Sequence, residues 1–213
     1  MQRRVKKPKG VIGIDEVGRG PLAGPVTLCA FYLEDEKEVL KEIFGNTIRD
    51  SKKLNKANRL NIYKTIRKNR LIKTRVEYAL SSRSAEYIDR HGISEAVRKC
   101  LLSCMRTLVK KGVQVEHLTI RLDAGLKIPN KNLTQKSFVK GDERFVEIAL
   151  ASIMAKVSRD MYMEKLTKEH NEYGWERNAG YGTVDHREAI KNIGITKYHR
   201  RTYLKAFELF DKI

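Results

Sequence analysis

The sequence predicts an α/β fold: a mixed sheet flanked by helices, with a helical segment towards the C-terminus. Three observations carry that expectation. Apolar, strand-type runs at 10–19, 25–33, 71–82, 117–123 and 137–142 are interspersed with segments whose apolar residues recur at helical spacing. Turn residues punctuate these runs, with Gly18, Gly20, Pro21 and Gly24 between the first two strands. An apolar fraction of 41% over 213 residues is enough to bury a core. That length suits one large domain, or a domain at 1–170 followed by a helical, substrate-contacting segment at 171–213.

The first two runs, GVIGIDEVGR and PVTLCAFYL, read as antiparallel neighbours joined by the glycine-rich turn. Helices follow at 36–44 and 55–69, the second with Leu60, Tyr63 and Ile66 at helical spacing. The run 71–82 alternates, with Ile72, Thr74, Val76 and Tyr78 on one face. Two helices at 84–90 and 93–111 are separated by Gly92, and Gly112 sits where a C-cap would close the second. HLTIRLD is a strand ending on Asp123, and SFVKGD is another short strand-like piece. Asp142 stands where an N-cap would open a helix over 143–168, whose apolar stripe is Val146, Leu150, Ile153, Val157 and Met161. Beyond Trp175 the chain turns glycine-rich, then gives a short helix from Asp185 and a last one at 203–212.

Charge narrows the function. There are 44 Lys+Arg against 26 Asp+Glu, a net charge of +18, which points to a polyanionic partner. Ten basic residues lie between 51 and 75 with no acid among them: Lys52, Lys53, Lys56, Arg59, Lys64, Arg67, Lys68, Arg70, Lys73 and Arg75. Lys197, His199, Arg200, Arg201 and Lys205 form a second cluster. Nucleic-acid phosphates neutralised by such side chains would make binding strongly salt-dependent. No apolar run reaches the ~20 residues needed to cross a bilayer, and Asp15, Glu16 and Arg19 interrupt the apolar stretch that a signal peptide would need. The expected location is the cytoplasm, with Cys29, Cys100 and Cys104 as reduced, packed thiols.

In so basic a chain the notable acids are those set in apolar strands. Asp15 and Glu16 interrupt the first strand, Asp123 ends the fourth, and Asp142 follows at a strand-to-helix turn. Clustered, buried carboxylates repel unless they hold a hard divalent cation; Mg²⁺ favours a few carboxylates plus water and phosphate oxygens. Two such ions can clamp both oxygens of a phosphodiester in an in-line displacement. Neighbouring strand residues face opposite ways, so Asp15 and Glu16 share a pocket only if the strand is ending there. Each acid taken singly also fits an ordinary turn or strand-end role.

The segment GIDEVGRGPLAGPV at 13–26 resembles the opening motif of the ribonuclease HII family. DSKKL at 50–54, LDAG at 122–125, VKGDERFVEIALASIMAKVSRD at 139–160, GYGT at 180–183, His186 and GITKYHR at 194–200 follow in family order. The resemblance implies a ribonuclease H-like fold and an endonuclease that cuts RNA in RNA–DNA hybrids and 5′ of single ribonucleotides in duplex DNA. The expected ends are 3′-hydroxyl and 5′-phosphate. It implies dependence on Mg²⁺ or Mn²⁺, two ions being expected with substrate. Carried over by position, the family's acids fall on Asp15, Glu16, Asp123 and Asp142, the first three as metal ligands. Gly18, Arg19 and Gly20 match the family's reader of the ribose 2′-hydroxyl, and Tyr181 the tyrosine that packs on the sugar. Lys52, with Ser51 and Lys53, matches the DSKKL pattern, where a phosphate contact is expected. The expected partners are the hybrid and the ribonucleotide-containing duplex, met by a monomer and with no membrane.

Two other readings remain open on the residues. Gly18-x-Gly20-x-x-Ala23 after a strand, with Asp35 beyond the next, fits a relaxed dinucleotide-binding fingerprint, although Pro21 and Pro25 obstruct the required helix. A non-catalytic RNA-binding protein would explain the charge and leave the carboxylates unexplained.

Overall fold

The computed structural model describes residues 10–34, 54–68 and 75–205. Five strands form one mixed sheet in the order β3-β2-β1-β4-β5. β1 (Val11–Val17), β2 (Val26–Leu33) and β3 (Val76–Arg83) run antiparallel in succession, so the expected hairpin of the first two runs is present. β4 (Thr119–Asp123) and β5 (Thr134–Phe138) add on the other side, each parallel to its neighbour. An antiparallel β1–β2 pair leaves no strand–glycine loop–helix unit, which removes the dinucleotide-binding reading.

Both faces of the sheet are covered. On one face pack α2 (Ala85–His91) and α3 (Ile93–Lys110), burying Ile12, Ile14, Leu28 and Ile120 against Val97, Leu101 and Leu108. Gly92 separates these helices at φ +78, and Gly112, at φ +91, donates its amide to Val109, the closure expected of it. On the other face, α1 (Lys56–Lys68) and the long α5 (Val146–Thr167) cover Cys29, Phe31 and Leu33. Gly13 makes the α5 packing possible: a Cβ there would lie 2.1 Å from the carbonyl carbon of Glu147. The three cysteines are free and buried, and Cys104 donates its thiol to the carbonyl of Ala79.

Three expectations are corrected. The fifth strand occupies 134–138, not 137–142, because Lys140 adopts a left-handed conformation (φ 52) that turns the chain out of the sheet. Asp142 is therefore not an N-cap: it lies in the first turn of the four-residue helix α4 (Gly141–Arg144), and Phe145 separates α4 from α5. Met161 lies on the outside of α5, 46% exposed, while Met163 is buried. The helix at 36–44, the start of the run at 71–74 and residues 206–212 of the expected last helix fall outside the described residues.

The C-terminal elements, α6 (Trp175–Asn178), α7 (Val184–Ile193) and α8 (Arg201–Lys205), build a third apolar cluster. It joins Leu22 and Ala23 to Met163, Leu166, Trp175, Ile190 and Leu204. Inside it the hydrogen bonds settle the state of two buried imidazoles. Thr196 N–H donates to His199 Nδ1 (3.0 Å), so His199 carries its proton on Nε2 and donates to His186 Nε2 (3.2 Å). Trp175 Nε1 also donates to His186 Nε2 (3.1 Å), which leaves the His186 proton on Nδ1, pointed at the carbonyl of Tyr181 (2.8 Å). Both rings are neutral. Burial lowers the pKa of each, and the neighbouring imidazole helps take His199 down to about 3.

That state has a consequence for stability. In the unfolded chain His199 takes up a proton near its ordinary 6.5, whereas folded it resists until about 3, so stability is full above 6.5 and drains away as the pH falls. Thermal melts followed by circular dichroism should show the melting temperature dropping between roughly pH 6.5 and 4. His199→Asn should melt lower near neutral pH but lose less on acidification; an equal acid slope in both proteins would contradict the neutral pair.

Candidate active site

The acids meet through strand register. β1 and β4 run parallel with Ile14 opposite Leu122, so the next pair, Asp15 and Asp123, stands side by side where β4 ends, while β1 stays paired with β2 through Glu16 and Val17. Residues in register on parallel strands share a face, and Gly13, two before Asp15, marks that face as the one covered by α5. Asp15 is 7% exposed, and its carboxyl accepts hydrogen bonds from the Ser152 hydroxyl and, at 2.7 Å, from the Glu16 amide. Burial pushes its pKa up to about 7; the charges of Glu16 and Asp123 push the same way, against the pull of Ser152. Burial also raises Glu16, with Asp123 adding to it and Arg19 opposing. Asp123 thus acts on both Asp15 and Glu16 at this end of the sheet.

Each is engaged by a donor of the protein. Arg19 Nη1 pairs with Glu16 Oε1 at 3.0 Å, and the Gly141 amide donates to Asp123 Oδ1 at 2.9 Å. Asp123 is also in register with Phe138, so β5 and the turn into α4 lie against it, and Asp142, half-buried, follows Gly141 directly. As placed, no three acidic, histidine or cysteine side chains among the described residues stand within reach of one ion. The donor set nevertheless fits a hard divalent cation. It is all oxygen, Asp15 gains from a nearby positive charge, and Glu16 Oε2 is buried with no hydrogen-bond partner.

The remaining predicted residues divide. Gly18, Arg19 and Gly20 follow β1 directly; Gly18 is buried, while Arg19 and Gly20 are exposed. Tyr181 is 45% exposed, and its ring lies 3.9 Å from where a Gly20 side chain would begin. Gly180 locks the two loops together: its carbonyl accepts the amides of Leu22 (2.8 Å) and Ala23 (3.2 Å), and a Cβ at its φ of +82 would strike the Ala23 carbonyl. Lys52 and the adjoining Ser51 and Lys53 fall outside the described residues.

The basic clusters need one correction. His199 and Arg200 are buried, not displayed to phosphates, since the carbonyls of 18–24 and the aromatic C-terminal cluster enclose them. By contrast Lys64, Arg67 and Lys68 lie on the exposed side of α1. Sequence reasoning also passed over Ser152, Arg159 and Tyr203. None of the three stood out by residue type or spacing: Arg159 is one of three cations on α5, with Lys156 and Lys165.

Similarity to known proteins accords with this geometry. The family model for Ribonuclease HII matches residues 12–206. Ribonuclease HII of Staphylococcus aureus (strain MRSA252) is 44% identical over 200 residues, covering 93% of this chain and 71% of that protein. Ribonuclease HII of Pelagibacter ubique (strain HTCC1062) is 40% identical over 198 residues, covering 92% and 96%. Among solved structures, a chain of the PCNA:RNase HII complex from Archaeoglobus fulgidus aligns with a TM-score of 0.72 at 23% identity, over 95% of this chain and 98% of that one. Bst-RNase HIII in complex with Mn²⁺ aligns with a TM-score of 0.70 at 20% identity, over 97% and 71%. At those identities the two structures speak for the fold alone.

The buried carboxylates carry a stability signature. A carboxyl raised from 3.8 to about 7 holds its proton in the folded state while the unfolded chain has lost it, so ionised Asp15 destabilises the fold as pH rises through that window. In metal-free buffer Asp15→Asn should therefore melt higher than the wild type above about pH 7, by roughly 2–4 °C for each kcal/mol relieved, and the gap should close near pH 4. Added Mn²⁺ should raise the melting temperature of the wild type more than that of the variant. A variant less stable at every pH would contradict the cost of ionising the buried Asp15 carboxyl.

Proposed function

The chain belongs to the ribonuclease HII family and is an endoribonuclease of RNase H type 2, and we propose that it cuts RNA in RNA–DNA hybrids and 5′ of single ribonucleotides embedded in duplex DNA. The products are 3′-hydroxyl and 5′-phosphate ends. The observation that carries this reading is the placing of buried Asp15 beside Asp123 by the parallel β1–β4 register, with Glu16 next in β1, where burial first, with Asp123 adding to it, raises both Asp15 and Glu16. Asp15, Glu16 and Asp123 would hold Mg²⁺ or Mn²⁺, with Asp142 completing the site; the donor set is all oxygen, and Glu16 Oε2 is buried with no hydrogen-bond partner. Two ions held there would supply the activation of a water and the neutralisation of charge on a phosphate displaced in line.

The protein's own groups select and align the substrate. Gly18, Arg19 and Gly20 bring main chain close to the sugar and read the 2′-hydroxyl, the group that separates RNA from DNA at one nucleotide. Tyr181, exposed next to Gly20, packs its ring on that sugar. Arg19, paired with Glu16, links the reading loop to the carboxylates. Exposed Lys64, Arg67 and Lys68 on α1, with Lys52, take the phosphates and give affinity without sequence preference. Residues 1–170 form the catalytic unit and 171–213 the segment that adds Tyr181. The enzyme acts as a monomer in the cytoplasm; among the described residues no helix is long and apolar enough to cross a membrane.

Cleavage of a duplex holding one ribonucleotide, with and without Mn²⁺, tests the reading directly. Asp15→Asn should lose roughly a hundredfold or more in rate, the scale seen when one group stabilising transition-state charge is removed. Its duplex affinity should stay close to wild type, and retained turnover would remove Asp15 from the site. Tyr181→Ala should slow cutting at a single ribonucleotide more than it weakens binding; equal losses in both would leave Tyr181 a packing role. Neutralising Lys64, Arg67 and Lys68 together should flatten the plot of log affinity against log salt by ~0.9 for each charge that meets a phosphate. An unchanged slope would place α1 away from the nucleic acid.

A further inference from the structure

Two guanidinium groups lie buried beneath the loop at 18–25, and among the described residues neither is paired with a carboxylate. Arg200, 0% exposed, donates Nη2 to the carbonyl of Gly18 (2.6 Å), Nη1 to that of Arg19 (2.9 Å), and Nε and Nη2 to that of Gly24 (3.0 and 2.9 Å). Tyr203 adds its hydroxyl to the Arg19 carbonyl at 2.8 Å. Arg159 holds the other end of the loop through the carbonyls of Ala23, Pro25 and Ala179. Asp89 fixes Arg200 from behind: its carboxylate accepts the amides of Arg201 and Thr202 at the start of α8 (2.9 and 3.0 Å).

The geometry of the peptide unit turns these contacts into a statement about donors. In a planar trans peptide the carbonyl of one residue and the amide of the next point in opposite directions, and no peptide bond among the described residues is cis. With the carbonyls of Gly18 and Arg19 drawn inward onto Arg200, the amides of Arg19 and Gly20 point outward. Both residues are exposed, and among the described residues neither amide donates to another protein group. Two successive outward amides form a concave pair of donors suited to one electronegative oxygen. The Tyr181 ring stands beside them.

We propose that Arg200 is the positioning residue for ribose selection: its forked guanidinium fixes the two peptide planes that present the Arg19 and Gly20 amides to the sugar oxygen of the substrate. A lysine keeps the positive charge but donates from a single point, and it cannot span the Gly18, Arg19 and Gly24 carbonyls. Arg200 remains protonated around neutral pH even though burial lowers it to about 10. The proposal rests on the reading of residues 18–20 given under Proposed function, and adds the group that orders them.

The experiment compares Arg200→Lys and Tyr203→Phe with wild type in two assays. One is single-turnover cleavage of a duplex with one ribonucleotide; the other is binding, in Ca²⁺, of that duplex and of its all-DNA counterpart. Arg200→Lys should lose about tenfold or more in cleavage rate. It should keep its affinity for the all-DNA duplex and lose the wild-type preference for the ribonucleotide. Tyr203→Phe removes one bond to the Arg19 carbonyl and should move the same two quantities the same way, by roughly twofold to tenfold. If Arg200→Lys fails to fold by circular dichroism, Tyr203→Phe decides on those quantities. Preference kept at the wild-type level, or affinity for both duplexes falling together, overturns the proposal. A wild type that cuts no ribonucleotide-containing duplex would instead overturn the function on which it rests.

Discussion

The parallel pairing of β1 with β4 is the constraint on which the molecule's chemistry depends. It places Asp15 next to Asp123 where β4 ends, with Glu16 one residue on in β1. Burial, with the charges of Glu16 and Asp123 adding to it, opposes the ionisation of Asp15 and keeps it protonated until near neutral pH. The surroundings are arranged to tolerate this. Ser152 and the Glu16 amide serve Asp15, Arg19 serves Glu16, and the Gly141 amide serves Asp123. A basic protein that keeps acids in its sheet at this cost has a use for them, and binding a divalent cation removes the repulsion.

Around that cluster the main structural task is to hold an irregular loop still. The segment between β1 and β2 has no ladder of its own for its carbonyls, and buried carbonyls must find donors. Arg159 from α5 and Arg200 from the C-terminal segment supply them, and Gly180 supplies the acceptor for two loop amides. The same C-terminal segment holds Tyr181 by its carbonyl through the neutral His186–His199 pair and Trp175. The carboxylates, the loop at 18–25 and the Tyr181 ring are therefore positioned by separate stretches of chain that meet at one end of the sheet.

Much of this was legible from residue order alone. The β1–β2 hairpin, the helix pair broken at Gly92, the buried thiols and the strand-end acids all follow from local pattern, because periodicity and turn residues report which way a side chain faces. The misreadings have a common origin. SFVKGD looked strand-like throughout, but Lys140 enters the left-handed region and ends the strand at Phe138. Met161 kept the helical spacing of its neighbours yet faces outward, since the stripe on a long helix drifts as the helix passes beyond the sheet.

What the amino-acid order determined by itself is the inventory: strands and helices in sequence, a strongly basic composition, and four acids set in strands or at a strand-to-helix turn. Tertiary structure alone decided the fate of the charges. His199 and Arg200 look like members of a surface basic cluster, and their neighbours in sequence say nothing different. Whether a cation faces solvent or sits inside depends on whether a distant stretch of chain brings carbonyls to meet it, and the loop at 18–25 does so from more than 170 residues away. The physical reason is that local pattern encodes direction, while the partner that makes burial tolerable is set by packing.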